Sequence, residues 1–430
     1  MENDMLVQLA RYIRRQMADK TDTLTFTSRR EPPDAFAVDS AALYVHIPFC
    51  RILCPYCPYN KIRYESTLAV RYHKALLTEI QRTSIRYGKL KIGSLYIGGG
   101  TPTLMLDELG DVMSAIRENF TMSGPAAIET TPADLTAEAA AMLHRRGFDL
   151  VSLGVQSFQD RFLRYIGRPY DGSAAARACE LLKDSGFPTL NIDLMFALPG
   201  QTIEDLGQDL QEAIRHEPDQ ITCYPLFTFP YTSVNRWVTQ NRVGLPRHGL
   251  RWRMYRVICD TLEKHGFVRI SVWSFIRQGA TAFSSVTRDR YLGLGAGAAS
   301  YNGRQFTFNT FSVQAYNEAV EAGRFPTAIG MPISARLERM FWLYWRLYET
   351  RFPKAVYRKL FGSDPERDFT EIFGLLRLAG FVENETDEEL TLNTRGCHWV
   401  HLAQNLLALN DVNTVWSASR ATPFPAKIKL

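Results

Sequence analysis

Long apolar runs, low-complexity tracts and internal repeats are all missing from this chain. No apolar stretch approaches the roughly 20 residues that a membrane-spanning helix needs, so no integral membrane segment is expected. Charge of one sign is not in excess. Fifty Lys and Arg face 45 Asp and Glu, which leaves +5 over 430 residues. That balance gives no case for nucleic acid as a partner, although a local basic rim still attracts an anionic substrate. Cysteine is scarce and odd in number, at 7. With no apolar core in the opening MENDMLVQLARYIRRQ, neither a signal peptide nor a disulfide framework is expected. The expected compartment is the cytoplasm, where thiols stay reduced. The 46% hydrophobic content is ample for a core, and the length suggests two or three domains.

Three of the few cysteines are crowded together. Cys50, Cys54 and Cys57 lie in YVHIPFCRILCPYCPYNK with the spacing C-x3-C-x2-C. Soft thiolates suit iron–sulfur clusters, and three of them can hold three irons of a 4Fe–4S cluster. The fourth iron then keeps a position open to substrate or cofactor, as catalytic zinc sites do. A structural zinc site would want a fourth Cys or His at a matching spacing. Cys179, Cys223, Cys259 and Cys397 are scattered singly, and His46 lies on the other side of the triad. The spacing resembles the radical SAM superfamily, in which S-adenosylmethionine (SAM) chelates the open iron.

From Ala42 the pattern is regular. Strand-like runs at 42–47, 94–98, 126–130, 150–155, 190–196 and 220–227 alternate with helix-like stretches. Such alternation implies parallel βαβ units. Six units are too few for a closed eight-unit barrel, so the fold class is α/β, a partial (β/α)6 barrel of the radical SAM kind. Its active site is expected at the carboxyl ends of the strands, and the cysteine triad follows the first of them. The expected division is an N-terminal arm over 1–41 with a short helix at 5–18, and the barrel over 42–243. A barrel extension follows over 244–331, in which YLGLGAGAASYNGRQFTFNT reads as a glycine-rich turn. A small winged-helix-like α+β domain closes the chain over 332–430. The acidic wing ENETDEEL argues against DNA as its ligand.

Candidate ligand-binding residues share an address near strand ends. Gly98, Gly99 and Gly100 let a ligand approach the backbone closely, although a glycine run alone is also an ordinary turn. No Walker Lys-Ser/Thr follows, so phosphate binding is not expected. Glu129 can accept from ribose hydroxyls, and Gln156 offers both donor and acceptor. Arg168 can pair with a carboxylate. Asp193 sits in an apolar run and needs a partner, structural or ligand. The segments YVHIPFC, GGGTPT, GVQSF, IGR, DLMFALPGQT and YLGLGAGA, in this order, resemble the oxygen-independent coproporphyrinogen III oxidase family. The resemblance implies that Tyr44 contacts SAM near the cluster. Gly99, Gly100 and Thr101 would hold its methionine part, with Arg168 on the carboxylate. Glu129, Gln156 and Asp193 would bind the nucleoside. Some members hold a second SAM.

Two departures from the oxidase pattern matter. Tyr59 stands where the oxidases carry a further cysteine, and residues 1–41 show no Tyr- and Pro-rich signature. The family also contains class C radical SAM methyltransferases, which use two SAM molecules, and heme chaperone-like proteins. The expected activity is radical C-methylation or alkylation of a flat ring: a tetrapyrrole, quinone or polycycle. The alternative is oxidative decarboxylation of a tetrapyrrole propionate, and a further one is a heme chaperone. A flavodoxin or ferredoxin is the expected electron donor. Tyr224, Phe227, Phe229 and Tyr231 are the candidate wall for the ring.

Overall fold

A computed structural model describes residues 24–36, 38–240, 242–282, 284 and 289–430. The helix expected at 5–18 lies outside the described residues. Six strands carry the core: β1 Ala41–Ile47, β2 Lys91–Gly99, β3 Ala126–Thr130, β4 Leu150–Gln156, β5 Thr189–Phe196 and β6 Gln220–Pro225. Each pairs in parallel with the next. All of β4 is buried, because helices cover the outer face and side chains fill the inner one. Helices such as Ser66–Tyr87, Gly172–Asp184 and Ile203–Arg215 return the chain between strands. The last begins with a capping box, in which Thr202 and Asp205 satisfy each other's backbone N–H.

The sheet does not close. Strand Ser274–Arg277 lies antiparallel on β6 at one edge. Beyond β1 the sheet runs on through Tyr291–Leu294, which is parallel to β1. Antiparallel strands Ala299–Tyr301, Gln305–Asn309 and Thr327–Pro332 follow. The glycine-rich segment is therefore largely strand, with turns at 295–298 and 302–304. Its strand glycine, Gly293, answers to close approach, whereas Gly295, Gly297 and Gly303 serve the turns with positive φ. A Cβ on Gly293 would collide with the Ala299 carbonyl, and Gly295 has φ 97°. Buried Glu79 anchors that turn by accepting from Gly295 N at 2.8 Å, Asn309 Nδ2 at 2.8 Å and the Tyr316 hydroxyl at 2.5 Å.

Strands near both ends of the described residues enter the same sheet. Thr25–Ser28 pairs with Thr327–Pro332 on one side and Lys427–Lys429 on the other. Of the arm, Thr25–Ser28 is thus built into the sheet, and Lys427–Lys429 leaves the C-terminal module to join it. That module follows the expected pattern: helix Ala335–Tyr348, a three-stranded sheet and helices Lys354–Phe361 and Thr370–Leu378. Its acidic wing is paired internally, because Glu385 takes Lys354 Nζ and Arg377 Nη2 at 2.6 Å each. The last helix, Thr394–Ala421, has 28 residues, about 42 Å at 1.5 Å per residue. Near its start His401 packs on Trp273 at 4.8 Å between ring centroids, and near its end Trp416 stacks on Tyr231 at 5.1 Å. It crosses the open mouth of the barrel.

Candidate active site at the open mouth of the barrel

The cysteine loop begins where β1 ends and lies along the residues that follow β2. Gly100 N donates to Ile47 O and Thr101 N to Phe49 O, each at 2.7 Å. This pairing leaves no room for a side chain, since a Cβ on Gly100 would stand 2.5 Å from the Phe49 carbonyl oxygen. Thr101 Oγ1 reaches Cys50 Sγ at 3.8 Å. Burial pushes the Cys50 thiol up to about 12, with Cys57 adding to the rise and Thr101 opposing it. Burial also raises Cys57, against the pull of Lys61. Lys61 Nζ donates to the Cys57 carbonyl at 2.5 Å. Cys54 and Cys57 pack with Tyr56, Phe162, Ile166 and Leu198 in a largely apolar pocket.

This donor set fits an iron–sulfur cluster. The three cysteines are free, and a bound cation would reverse the burial effect by holding each sulfur as thiolate. Among the described residues no three His, Cys, Asp or Glu side chains converge on one ion. A cluster does not ask for that, because each thiolate binds its own iron.

Beside the loop, the carbonyl of Asn60 fixes a tautomer. His46 Nε2 lies 2.7 Å from Asn60 O, so this nitrogen carries the proton. Nδ1 is then an acceptor, and the Tyr44 hydroxyl donates to it at 2.7 Å. Burial lowers the His46 pKa to about 4, which keeps the ring neutral. Tyr44 faces Tyr96 across the β1–β2 pair, ring centroids 5.9 Å apart. The Tyr96 hydroxyl donates to Glu129 Oε1, and Gly99 N donates to Oε2 at 3.0 Å. Burial raises the Glu129 pKa, while these two donors hold it down.

On the neighbouring strands, Gln156 ends β4 with φ 71°, a conformation L side chains seldom adopt, at a break in the β4–β5 register. Its Oε1 accepts from the Tyr224 hydroxyl at 2.6 Å. Asp193 accepts from Asn191 Nδ2 at 2.8 Å and Ser152 Oγ at 3.0 Å. Burial lifts its pKa to about 7, opposed by Asn191 and helped by nearby Glu129. Arg168 lies 5.7 Å from the centroid of Tyr56 in the cysteine loop and 5.8 Å from that of Tyr170. Its Nε is buried and has no hydrogen-bond partner among the described residues.

The fold therefore gathers Cys50, Cys54, Cys57, Tyr44, Gly99, Gly100, Thr101, Glu129, Gln156, Arg168 and Asp193 around one mouth. Tyr59 joins them. It is 49% accessible, yet the surrounding protein holds its phenol far above the usual range, with Glu129 and Cys57 adding to the effect. Accessible but enclosed, it lines the mouth rather than the outer surface. Sequence reading passed over Tyr96, Tyr56, Asn60 and the role of His46. Only Tyr96 left a signal there: alternation along SLYIGGG puts it on the same face as Gly98.

A family profile described as "Radical SAM superfamily" matches residues 44–213. The chain is 31% identical over 290 residues to the heme chaperone HemW of Bacillus subtilis, covering 66% of this chain and 76% of that protein. It is 30% identical over 312 residues to the oxygen-independent coproporphyrinogen III oxidase of Bradyrhizobium diazoefficiens, covering 68% and 69%. The solved structure of coproporphyrinogen III oxidase (HemN) from Escherichia coli superposes with a TM-score of 0.72 at 23% identity, over 88% of this chain and 91% of that one, which shows a common fold. No described helix is long and apolar enough to cross a membrane. Shared motifs, a shared fold and identity sustained over two thirds of these relatives have one consequence: the chain belongs to the radical SAM superfamily, within the family of oxygen-independent coproporphyrinogen III oxidases and heme chaperones.

Proposed function

We propose that this chain is a radical SAM enzyme acting on a tetrapyrrole, and that its reaction is oxidative decarboxylation of a propionate side chain. The named relatives support this reading and a heme chaperone over the ring methylation that the sequence alone suggests. The observation that carries SAM binding is Arg168, a guanidinium with an orphaned buried Nε beside the cysteine loop. Such a group calls for an anion, and the SAM carboxylate supplies one.

When bound, the cluster and SAM would supply the 5′-deoxyadenosyl radical chemistry that oxidative decarboxylation of a propionate needs. The chain's own residues position and enclose. Cys50, Cys54 and Cys57 would each hold one iron. Tyr44 has its proton committed to His46, so its oxygen is left as an acceptor toward the SAM methionine part. Gly99, Gly100 and Thr101 present backbone to the same part. Glu129, Gln156 and Asp193 stand where ribose and adenine groups would be read. The last helix and the aromatic strip from Tyr224 to Tyr231 exclude water from the mouth.

The test is anaerobic reconstitution with iron and sulfide, followed by SAM, a reductant and coproporphyrinogen III. Loss of carbon dioxide from the substrate with matching 5′-deoxyadenosine supports the proposal. S-adenosylhomocysteine with a methylated ring would transfer the assignment to methylation. The match to HemW favours a second reading as a heme chaperone. Tight heme binding with no turnover of the porphyrinogen would establish it.

A further inference from the structure

Buried polar atoms without partners are rare, and each asks for a ligand or another cause. Six of them cluster away from the cysteine loop. They are both ring nitrogens of His398, both of His401, the indole nitrogen of Trp273 and Oε1 of Gln404. His398 and His401 are 5% and 6% accessible. Gln404 stands within hydrogen-bonding reach of His401, although neither its Oε1 nor a ring nitrogen of His401 completes a bond of full geometry. Burial lowers both imidazoles to about 3, so both rings are neutral. Their surroundings are aromatic. His401 lies edge-on to Trp273 at 4.8 Å, Tyr348 at 5.5 Å and Phe227 at 6.4 Å.

This cluster adjoins the mouth. Phe227 is stacked parallel to Tyr224, whose hydroxyl holds Gln156. Tyr348 is close enough to bear on the Tyr59 phenol. A positive charge stands beside the two histidines. Helix His248–Lys264 packs on His398 through His248 at 5.3 Å and Trp252 at 4.9 Å between ring centroids, and Arg251 lies between these two in the same turn with no ion-pair partner among the described residues. Burial lowers its pKa. It belongs to a stretch, 242–256, with five arginines and no acidic residue. A half-buried arginine without a carboxylate, next to unpartnered imidazoles in an aromatic box, is the complement of a flat ring that carries acid groups.

We propose that Arg251, His401 and Trp273 form the distal half of the substrate site, in which Arg251 pairs with a carboxylate of a tetrapyrrole and His401 turns an imidazole nitrogen to the centre of the ring. The inference rests on the tetrapyrrole reading above and assigns its binding surface. A pyrrole N–H of a metal-free ring and the iron of heme both satisfy such a nitrogen, and experiment separates them.

The full-length protein is titrated with coproporphyrin III, with its tetramethyl ester and with ferric heme, following Trp fluorescence and the Soret band. Arg251→Gln should weaken coproporphyrin III binding by roughly tenfold or more, the worth of a charge-assisted hydrogen bond. It should leave the uncharged ester unaffected, a discrimination that mere loss of packing cannot produce. His401→Phe keeps the ring volume. A changed heme Soret band in this variant assigns the nitrogen to iron, and a weakened metal-free ring with an unchanged heme band assigns it to pyrrole N–H. Unaltered binding of both rings would make His401 a packing residue and remove it from the proposal. Equal affinity of wild type and Arg251→Gln for the free acid overturns the subsite while leaving the tetrapyrrole reading standing. Failure of the wild type to bind any of the three rings overturns that reading and the subsite with it.

Discussion

Arg168→Ala separates ligand binding from folding. Among the described residues its guanidinium makes no salt bridge; it lies over the faces of Tyr56 and Tyr170, and its Nε is orphaned. The apo protein therefore loses no salt bridge on truncation. It loses two cation–π contacts of about 0.5–1 kcal/mol each and is relieved of an unsatisfied group, so its net stability should change little. The SAM complex loses a charge-assisted pair of about 1.5–3 kcal/mol, and about 1.4 kcal/mol corresponds to a tenfold change. SAM affinity should fall roughly tenfold to a hundredfold. Arg168→Lys should recover part of it, since an ammonium keeps the charge but not the fork. The assay is equilibrium binding of SAM to anaerobically reconstituted protein, beside iron content and a melting curve on each variant. Unchanged affinity with a lowered melting temperature would show that Arg168 serves packing alone, and the case for SAM at this position would collapse.

Cys50→Ala, Cys54→Ala or Cys57→Ala should each abolish the brown chromophore and SAM cleavage, whereas Cys179→Ala and Cys259→Ala should keep both. Stoichiometric zinc with no iron after reconstitution would contradict this. Gly100→Ala puts a methyl against the backbone of Ile47 and Phe49, an overpacking cost of about 1–3 kcal/mol. Iron loading should drop with it, and full loading with normal stability would refute the close pairing of the two segments. Glu79 is buried without a cation, and burial raises its pKa to about 7 against the three donors that hold it down. Between its ordinary value of 4.5 and about 7 the folded chain keeps a proton that the unfolded chain has released. Its contribution to stability is full below that window and is lost as pH rises through about 7. Melting temperature should fall over this range, and Glu79→Gln should flatten the fall. An equally steep decline in the variant would exclude Glu79 as its source.

The six strand–helix units and the cysteine loop were legible in the sequence because their signals are local. Apolar runs such as LVSLGV and the alternation with amphipathic helices depend only on neighbours in the chain. So does the spacing of Cys50, Cys54 and Cys57, since ligands within one loop reach one cluster. The strand at Tyr291–Leu294 was not legible. Its one glycine, Gly293, is there for a backbone contact with Ala299, and composition alone reads the glycine-rich run as a turn. Thr25–Ser28 and Lys427–Lys429 are too short and polar to announce themselves as strands, and become so only by pairing with each other and with Thr327–Pro332. The site divides in the same way. Sequence order supplied Glu129, Gln156, Arg168 and Asp193 one by one, but only the parallel sheet brings four separate strand ends and connections to one mouth. Its electrostatics belong wholly to the tertiary structure. The protonation of Asp193 near pH 7, the neutral His46 and the unpaired Arg168 follow from burial and from which partners lie within reach. The unpartnered His398 and His401 show the same limit. In the sequence they are two histidines three residues apart on a helix, and only packing against the barrel removes water from their nitrogens.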